Sequence, residues 1–442
     1  MPEATDLTRT AVDAWLFGYP LIFQDVTKQR MTGPALPGNP TAPAGRFIHH
    51  RTAPDHTYTE LVTPNADVLY SMAWLEVGEE PTILSVPEMG DRYWVMQMVD
   101  GWSDVFASPG SRTTGQGGGH FAVTGPGWTG TLPGDVAELK SPTSMVWIVG
   151  RVNTAGSKDH PAVHALQDRM YLTPLSAWTG DPKDYTPPAR TAASPTGSEA
   201  GNIQPVDEIA AMDGTSFFAR LNELMVADPP HPADAPALER FSALGVAPGG
   251  GRAGLERPEV INAIHAAPAG GLSVLRDRVA EDERIAGWKT YRNLGAFGTD
   301  YTTRALISFL GGGGNLAADA LYFRAGSDAD GQAFTGQDHY VLHFDAGKLP
   351  PVRGFWSLSM YNDKLSFVDN PLHRYIIGDR DELSLNPDGS LDILIQHDRP
   401  APDRQNNWLP APTGAFNIVM RLYWPEQPLL DGSWTPPPVR KA

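Results

Sequence analysis

Residues 63–75 read Thr63-Pro64-Asn65-Ala66-Asp67-Val68-Leu69-Tyr70-Ser71-Met72-Ala73-Trp74-Leu75, and their pattern decides the fold class. Pro64 disfavours helical geometry at Thr63, so the chain is expected to run extended into this stretch. Beyond it, Val68, Tyr70, Met72 and Trp74 alternate with Leu69, Ser71, Ala73 and Leu75. That is the two-residue period of a strand, and both sets carry apolar groups. Asn65, Asp67 and Tyr70 stand at the entry of this strand. After a turn, Arg92-Tyr93-Trp94-Val95-Met96-Gln97-Met98-Val99 reads as another, closed by Asp100-Gly101-Trp102-Ser103-Asp104. Carboxylates, amides and phenols at strand ends beside aromatic rings are what a small-molecule pocket requires.

Working outward, strand patterns recur at 68–77, 82–86, 92–99, 119–124 and 144–152, punctuated by Pro81, Pro87, Gly90, Gly101, Pro126 and Pro133. They return at 339–344, 354–361, 373–378, 391–396 and 415–424, where Asn386-Pro387-Asp388-Gly389 marks a hairpin turn. Helical spacing occupies 6–30, where Val12, Trp15, Leu16 and Tyr19 recur and Pro20 threatens a kink. It returns between 206 and 310. There Thr215-Ser216 precede a helix bearing Phe217, Phe218, Leu221 and Leu224, and another spans 235–244. A third at 258–285 is expected to break at Pro268-Ala269-Gly270-Gly271, and a fourth covers 300–310. The expected class is mainly β with a helical insert, built from two jelly-roll β-sandwich domains. The expected boundaries are an N-terminal helix plus jelly roll at 1–175, a Pro/Thr/Ser-rich linker at 176–205, a helical segment at 206–318 and a second jelly roll at 319–442. No strong internal sequence repeat is visible, although two all-β halves suggest related folds.

The composition bounds the partners. The 442 residues carry a formal charge of −17, which disfavours nucleic acid and anionic membranes. No apolar run approaches the roughly 20 residues that cross a bilayer. Cysteine is absent, which excludes disulfides, a thiol nucleophile and Cys-ligated zinc. Met1 to Thr10 show no basic segment ahead of an apolar run, so no signal peptide is read and a cytoplasmic location is expected.

Several motifs are missing or incomplete. Gly-x-Ser-x-Gly and the P-loop pattern do not occur, and Gly115 to Gly119 lack a dinucleotide-binding setting. Asp328-Ala329-Asp330-Gly331 is similar to a calcium loop, but Gly326 and Gln337 stand where ligands belong, so it reads as a turn. His339 and His343 fall on one side of a strand without an evident third ligand. His49, His50 and His56 lie in a loop, where one could serve as a base. No metal and no cofactor are expected.

Three constellations remain. The first is Asn65, Asp67, Tyr70, Tyr93, Asp100, Trp102, Asp104 and Arg112. Here Asp67 or Asp100 would be the acid/base, Tyr70 the proton donor or oxyanion partner, and Arg112 the bidentate anchor. Asn65, Tyr93 and Trp102 would line the substrate. The competing role for the Asp and Asn residues is capping turns through side-chain to backbone bonds. The second is Asp300, Tyr301 and Arg304, where Asp300 and Arg304 could pair along a helix face. The third, containing Trp356, Tyr361, Arg374, Tyr375, Asn407, Trp408, Arg421, Tyr423 and Trp424, could line a groove for a sugar or aromatic ligand, or could be core.

Thr63 to Tyr70, Arg92-Tyr93, Ser108 to Gly115, Gly125 to Trp128 and Trp147 to Arg151 resemble the domain-of-unknown-function family numbered 1254. Asp328 to Gly331, Leu349 to Val352, Gly354 to Ser357, Met360-Tyr361, Asp369 to Pro371, Arg374-Tyr375, Asn407 to Pro410 and Arg421 to Pro425 resemble its companion family, numbered 1214. The resemblance implies two β jelly rolls with helices between them, often assembled as oligomers, and no settled activity. The resulting expectation is a metal-independent acid/base enzyme of hydrolase or lyase type, acting on a small oxygenated metabolite or glycoside. The alternative is a non-catalytic ligand-binding or scaffold protein. The partners expected are a small-molecule substrate and further copies of the chain, not nucleic acid or membrane.

Overall fold

The computed structural model describes residues 4–34, 40–58, 63–187, 204–281 and 284–442, and its strands form four sheets. The N-terminal unit contains β1 (Ile48–His49), β2 (Val68–Glu76), β3 (Thr82–Val86), β4 (Trp94–Asp100), β5 (Val105–Ala107), β6 (Gly119–Thr124), β7 (Val136–Lys140), β8 (Met145–Asn153) and β9 (Tyr171–Pro174). The C-terminal unit contains β10 (Lys289–Thr290), β11 (Ala320–Ala325), β12 (Tyr340–Phe344), β13 (Val352–Asn362), β14 (Ile376–Gly378), β15 (Leu391–Gln396), β16 (Trp408–Pro410), β17 (Phe416–Pro425) and β18 (Arg440–Lys441). The first unit pairs its strands β1-β2-β8-β4-β5 in one sheet and β7-β6-β3-β9 in the other. The second pairs β10-β11-β17-β13-β14 and β16-β15-β12-β18. Numbered from its own first strand, each unit has the same order, and the β6–β7 and β15–β16 pairs are both parallel. The architecture is therefore mainly β, as two sandwiches with one connection plan, plus helices.

The period-two patterns explain the layers. Leu69, Ala73 and Leu75 of β2 pack with Leu84 of β3, Met96 of β4 and Val123 of β6, closing the first sandwich. Leu321, Leu342, Leu358, Ile393 and Met420 do the same in the second. Each such buried side chain contributes roughly 1.5–3 kcal/mol.

The helices form a third layer. They are α1 (Ala4–Thr32), α3 (Pro205–Ala210), α4 (Gly214–Ala227), α5 (Ala235–Ser242), α6 (Arg252–Leu255), α7 (Ile261–Ala280) and α8 (Tyr301–Phe309), whereas α2 (His160–Gln167) and α9 (Gln427–Leu430) pack into the first and second sandwich cores. Helix α1 packs with α4, α7 and α8 through Trp15, Phe17, Leu21 and Ile22, so it belongs with the helical segment rather than with the first sandwich alone. It continues through Pro20. The break expected at Pro268 does not occur either, because α7 runs unbroken across it with Pro268 buried. The glycines there permit contact with α1: a Cβ on Gly271 would lie 2.0 Å from Trp15 Cε3. Of the expected linker, residues 188–203 lie outside the described residues. Among the described residues no helix is long and apolar enough to cross a membrane.

The two sandwiches meet through their larger sheets, and the meeting surface repeats its parts. Asp67-Val68-Leu69-Tyr70 corresponds to Asp319-Ala320-Leu321-Tyr322. Tyr70 stands opposite Arg151 in register, as Tyr322 stands opposite Arg421. Gly110-Ser111-Arg112 corresponds to Gly378-Asp379-Arg380. The Trp94 amide donates to Ser111 Oγ, and the Trp356 amide donates to an oxygen of Asp379. The two arginines then cross over. Arg112 grips Asp319 through Nε and Nη2, at 2.7 and 3.1 Å, and Arg380 pairs with Asp67. Thr63 is not extended as expected but has φ 52°. In that conformation its amide donates to Leu365 O and its carbonyl accepts from Arg421.

Candidate functional site

The residues expected to share one pocket divide into two places. Asp67 stands at one end of the larger N-terminal sheet and Asp100 at the other. Along β8, the partners of Val68 and Asp100 are Asn153 and Val146, seven residues or about 23 Å apart.

At the Asp67 end the groups are an interdomain lock. Asp67 is fully buried, pairs with Arg380 and accepts from Ser357 Oγ at 2.6 Å. Asn65 holds the Asp67 amide through Oδ1 and donates to Tyr423 Oη at 2.7 Å. Tyr70 lies under the Arg151 guanidinium. Tyr93 Oη donates to the Asp319 carbonyl, and burial pushes its phenol pKa well above the usual range. Arg112 is committed to Asp319 rather than free to anchor a ligand. The C-terminal aromatic groove does not form. Trp356 is core, and Tyr361 donates to Pro64 O across the interface. Trp408 Nε1 is bonded to Gln396 O, and Arg374 clamps the carbonyls of Gln405 and Trp408. His339 and His343 serve separate carboxylates, Asp398 and Asp392. Asp328 holds the amides of Asp330 and Gln332 in a plain turn.

At the other end the chemistry is different. Asp100 closes β4, and its Oδ1 accepts the amides of Trp102 and Asp104, forming a tight turn with Ser103 at φ 69°. The second sandwich contains the same turn. Asn362 Oδ1 accepts the amides of Lys364 and Ser366, and Leu365 stands at φ 62°. One amide oxygen thus suffices for the turn. The carboxylate at Asp100 has an oxygen to spare, and that Oδ2 meets His231 Nε2 at 2.8 Å.

His231 arrives from the segment between α4 and α5, stiffened by Pro229, Pro230 and Pro232. Trp102 Nε1 ties that segment down by donating to Asp228 O and Pro229 O. The other ring nitrogen of His231 is 3.8 Å from Asp104 Oδ2, so each ring nitrogen faces a carboxylate. The bond to Asp100 raises the imidazole pKa against the opposing effect of burial, and both acidic charges add to the rise. Burial raises the Asp104 pKa, and the neighbouring Asp100 charge raises it further. The exposures separate the roles: side chains of His231 and Asp104 are 20% and 14% exposed, Asp100 only 1%.

Arg304 of α8 is fully buried behind them. Its Nη1 donates to Asp104 Oδ2 at 3.3 Å, while Nε and Nη2 have no hydrogen-bond partner. Its guanidinium lies 5.2–5.8 Å from the ring centres of Tyr301, Trp102 and Phe17. Such a cage stabilises a desolvated cation through the ring faces. The pairing expected between Asp300 and Arg304 is absent, because Asp300 instead caps α8 by accepting from the Thr303 amide. Ser103 Oγ accepts from Gln24 Nε2 at 2.9 Å and shares a bond with Ser308 Oγ, pinning the turn to α1 and α8.

Sequence reasoning therefore named Asp100, Trp102, Asp104 and Arg304 but divided them between two groups, and it missed His231. The signal available was Asp228-Pro229-Pro230-His231-Pro232, a histidine held between prolines.

Comparison with known proteins agrees with the fold. Residues 44–174 match the model of the family described as Protein of unknown function (DUF1254). Residues 319–427 match the one described as Protein of unknown function (DUF1214). The chain belongs to this two-domain family. Family membership accounts for the paired sandwiches and leaves the segment that carries His231, and helix α8 with Arg304, outside both matches. A crystal structure of the VPA0106 protein from Vibrio parahaemolyticus is similar over 99% of this chain and 100% of that one, with 24% identity and a TM-score of 0.74. That likeness speaks to fold alone. A structure of an uncharacterised protein from Burkholderia cenocepacia covers 99% of this chain and 94% of its own, at 12% identity and a TM-score of 0.45. No curated protein matches.

Proposed function

We propose that the protein is a metal-independent acid/base enzyme of hydrolase or lyase type, acting on a small oxygenated metabolite or glycoside at the His231 site. One observation carries this reading: Asp100 supplies a second oxygen to His231 that its turn does not require, as Asn362 demonstrates. In the hydrolytic case, the protonated form of His231, which the Asp100 bond favours, donates its proton to the leaving oxygen. Asp104 takes a proton from the attacking water, whose oxygen bonds to the substrate carbon. Asp100 is a positioning residue that fixes the ring. Arg304 balances the charge on Asp104 without reaching solvent.

The test is turnover of a panel of esters, lactones, glycosides and hydroxy acids by the wild-type chain and by His231→Gln. Turnover of one class that falls at least a hundredfold in His231→Gln supports the reading. No turnover of any class, or turnover indifferent to the substitution, overturns it.

The alternative, a non-catalytic ligand-binding or scaffold protein, is favoured by a separate observation. A pocket of about 220 Å³ lined by Phe47, His49, Tyr171 and Tyr185 contains none of the His231 group. We further assign both sandwiches to the jelly-roll class, the chain to a homo-oligomer and its location to the cytoplasm. The acidic, cysteine-free composition supports the last of these.

A further inference from the structure

Two clusters of histidine and carboxylate bring their ligand atoms within 4.8 Å of one another among the described residues. The Asp100–Asp104–His231 cluster is a poor cation site, because Arg304 already places a positive charge 3.3 Å from Asp104. The second cluster, His56, Asp369 and His373, lies at the surface where the two sandwiches meet, and among the described residues no arginine or lysine pairs with Asp369.

We propose that His56, Asp369 and His373 form a binding site for a divalent late transition metal of the zinc class, which clips the two sandwiches together. His56 comes from the loop ahead of β2, and the other two from the loop ahead of β14. Asp369 Oδ1 is 3.7 Å from His56 Nδ1 and 3.3 Å from His373 Nδ1. The imidazole rings lie nearly parallel, with centres 6.4 Å apart. Ligands about 2.0–2.2 Å from zinc need sub-ångström to ångström rearrangement from these positions. Side chains exposed by a third or more can supply it by rotation. Two imidazoles and one carboxylate suit zinc, nickel or copper better than magnesium or calcium, which prefer all-oxygen shells.

The surroundings are those of a held ligand set. His56 Nδ1, the nitrogen that faces Asp369, is 2.8 Å from Tyr375 Oη, a bond the metal replaces when it takes that nitrogen. Asn370 accepts the amides of Leu372 and Arg374 and donates to the carbonyls of Val368 and Arg374, so the Asp369–His373 turn is fixed. The site is at the interdomain surface, away from His231, so it acts on stability rather than on the proposed proton transfer.

The experiment uses the full chain stripped with a chelator and titrated with zinc, by calorimetry and thermal melting. One equivalent of zinc is expected to bind. At free zinc a hundredfold above Kd, Tm should rise by about 3 °C for a chain of this length. His373→Ala and Asp369→Asn, both at exposed positions, should each weaken binding at least tenfold and cut the Tm rise by half or more at the same free zinc. His231→Gln should retain both. Failure of wild-type chain to bind zinc, or binding unchanged in His373→Ala, overturns the proposal. Binding lost in His231→Gln but not in His373→Ala also overturns it, since that result puts the metal at the other cluster.

Discussion

Replacing Arg380 by Met should destabilise the chain more than any exposed ion-pair substitution. Asp67 is wholly buried, and its partners are Arg380 and the Ser357 hydroxyl. Arg380 also donates to Thr154 O at 2.7 Å. Methionine keeps much of the arginine stem but loses the guanidinium, which lies 4.1 Å over the Phe355 ring, and leaves a buried carboxylate with one neutral donor. Breaking a buried pair by removing one member costs about 3–5 kcal/mol, against about 0–1 kcal/mol at the surface. The same reasoning applies to Arg112→Met, because Asp319 is 3% exposed and bound in two places. In the double variant Asp67→Asn/Arg380→Met the charge is gone, so the combined loss should be smaller than the sum of the two single losses by 1 kcal/mol or more. Urea unfolding monitored by tryptophan fluorescence measures all four chains. A loss below about 1 kcal/mol in Arg380→Met, or strict additivity in the double variant, would refute the view that these crossed pairs lock the sandwiches.

Further outcomes are expected. Asp100→Asn should keep its turn, as Asn362 does, and lower the His231 pKa, because the largest cause of its rise is removed. Proton NMR of the imidazole measures this. With a raised folded pKa, His231 stabilises the wild type fully below the unfolded value of about 6.5, and the contribution fades as pH rises through the folded value. Asp100→Asn should flatten that dependence. His49 behaves oppositely. Burial, helped by the nearby Arg51 charge, lowers its pKa to about 4. Stability should therefore drop by roughly 1–3 kcal/mol between pH 6.5 and 4, a loss that His49→Gln removes in pH-resolved melts. Gly271→Ala should cost roughly 1–3 kcal/mol or more by thermal melting, since its Cβ would enter the Trp15 ring and push α7 off α1.

Local pattern was a good guide to elements. Alternation located β2, β3, β4, β6 and β8 within about two residues, and β12, β13, β15 and β17 nearly as well. Short edge strands such as β5, β7, β16 and β18 escaped it, because two to five residues with one covered face carry too little period to read. Pro20 and Pro268 misled it, since packing of α1 against α7 outweighs one lost backbone bond.

Sequence alone determined that the chain is mainly β with a helical segment, because strand period and turn chemistry are local properties, and its motifs carried the resemblance to the family. It did not reveal that the two halves share one connection plan, since strand order depends on which edges meet, not on which residues form them. Nor could it tell that Asp67 locks two domains while Asp100 holds a histidine. Both are carboxylates at strand ends, and the difference lies in what arrives from more than a hundred residues away: Arg380 in one case, His231 in the other.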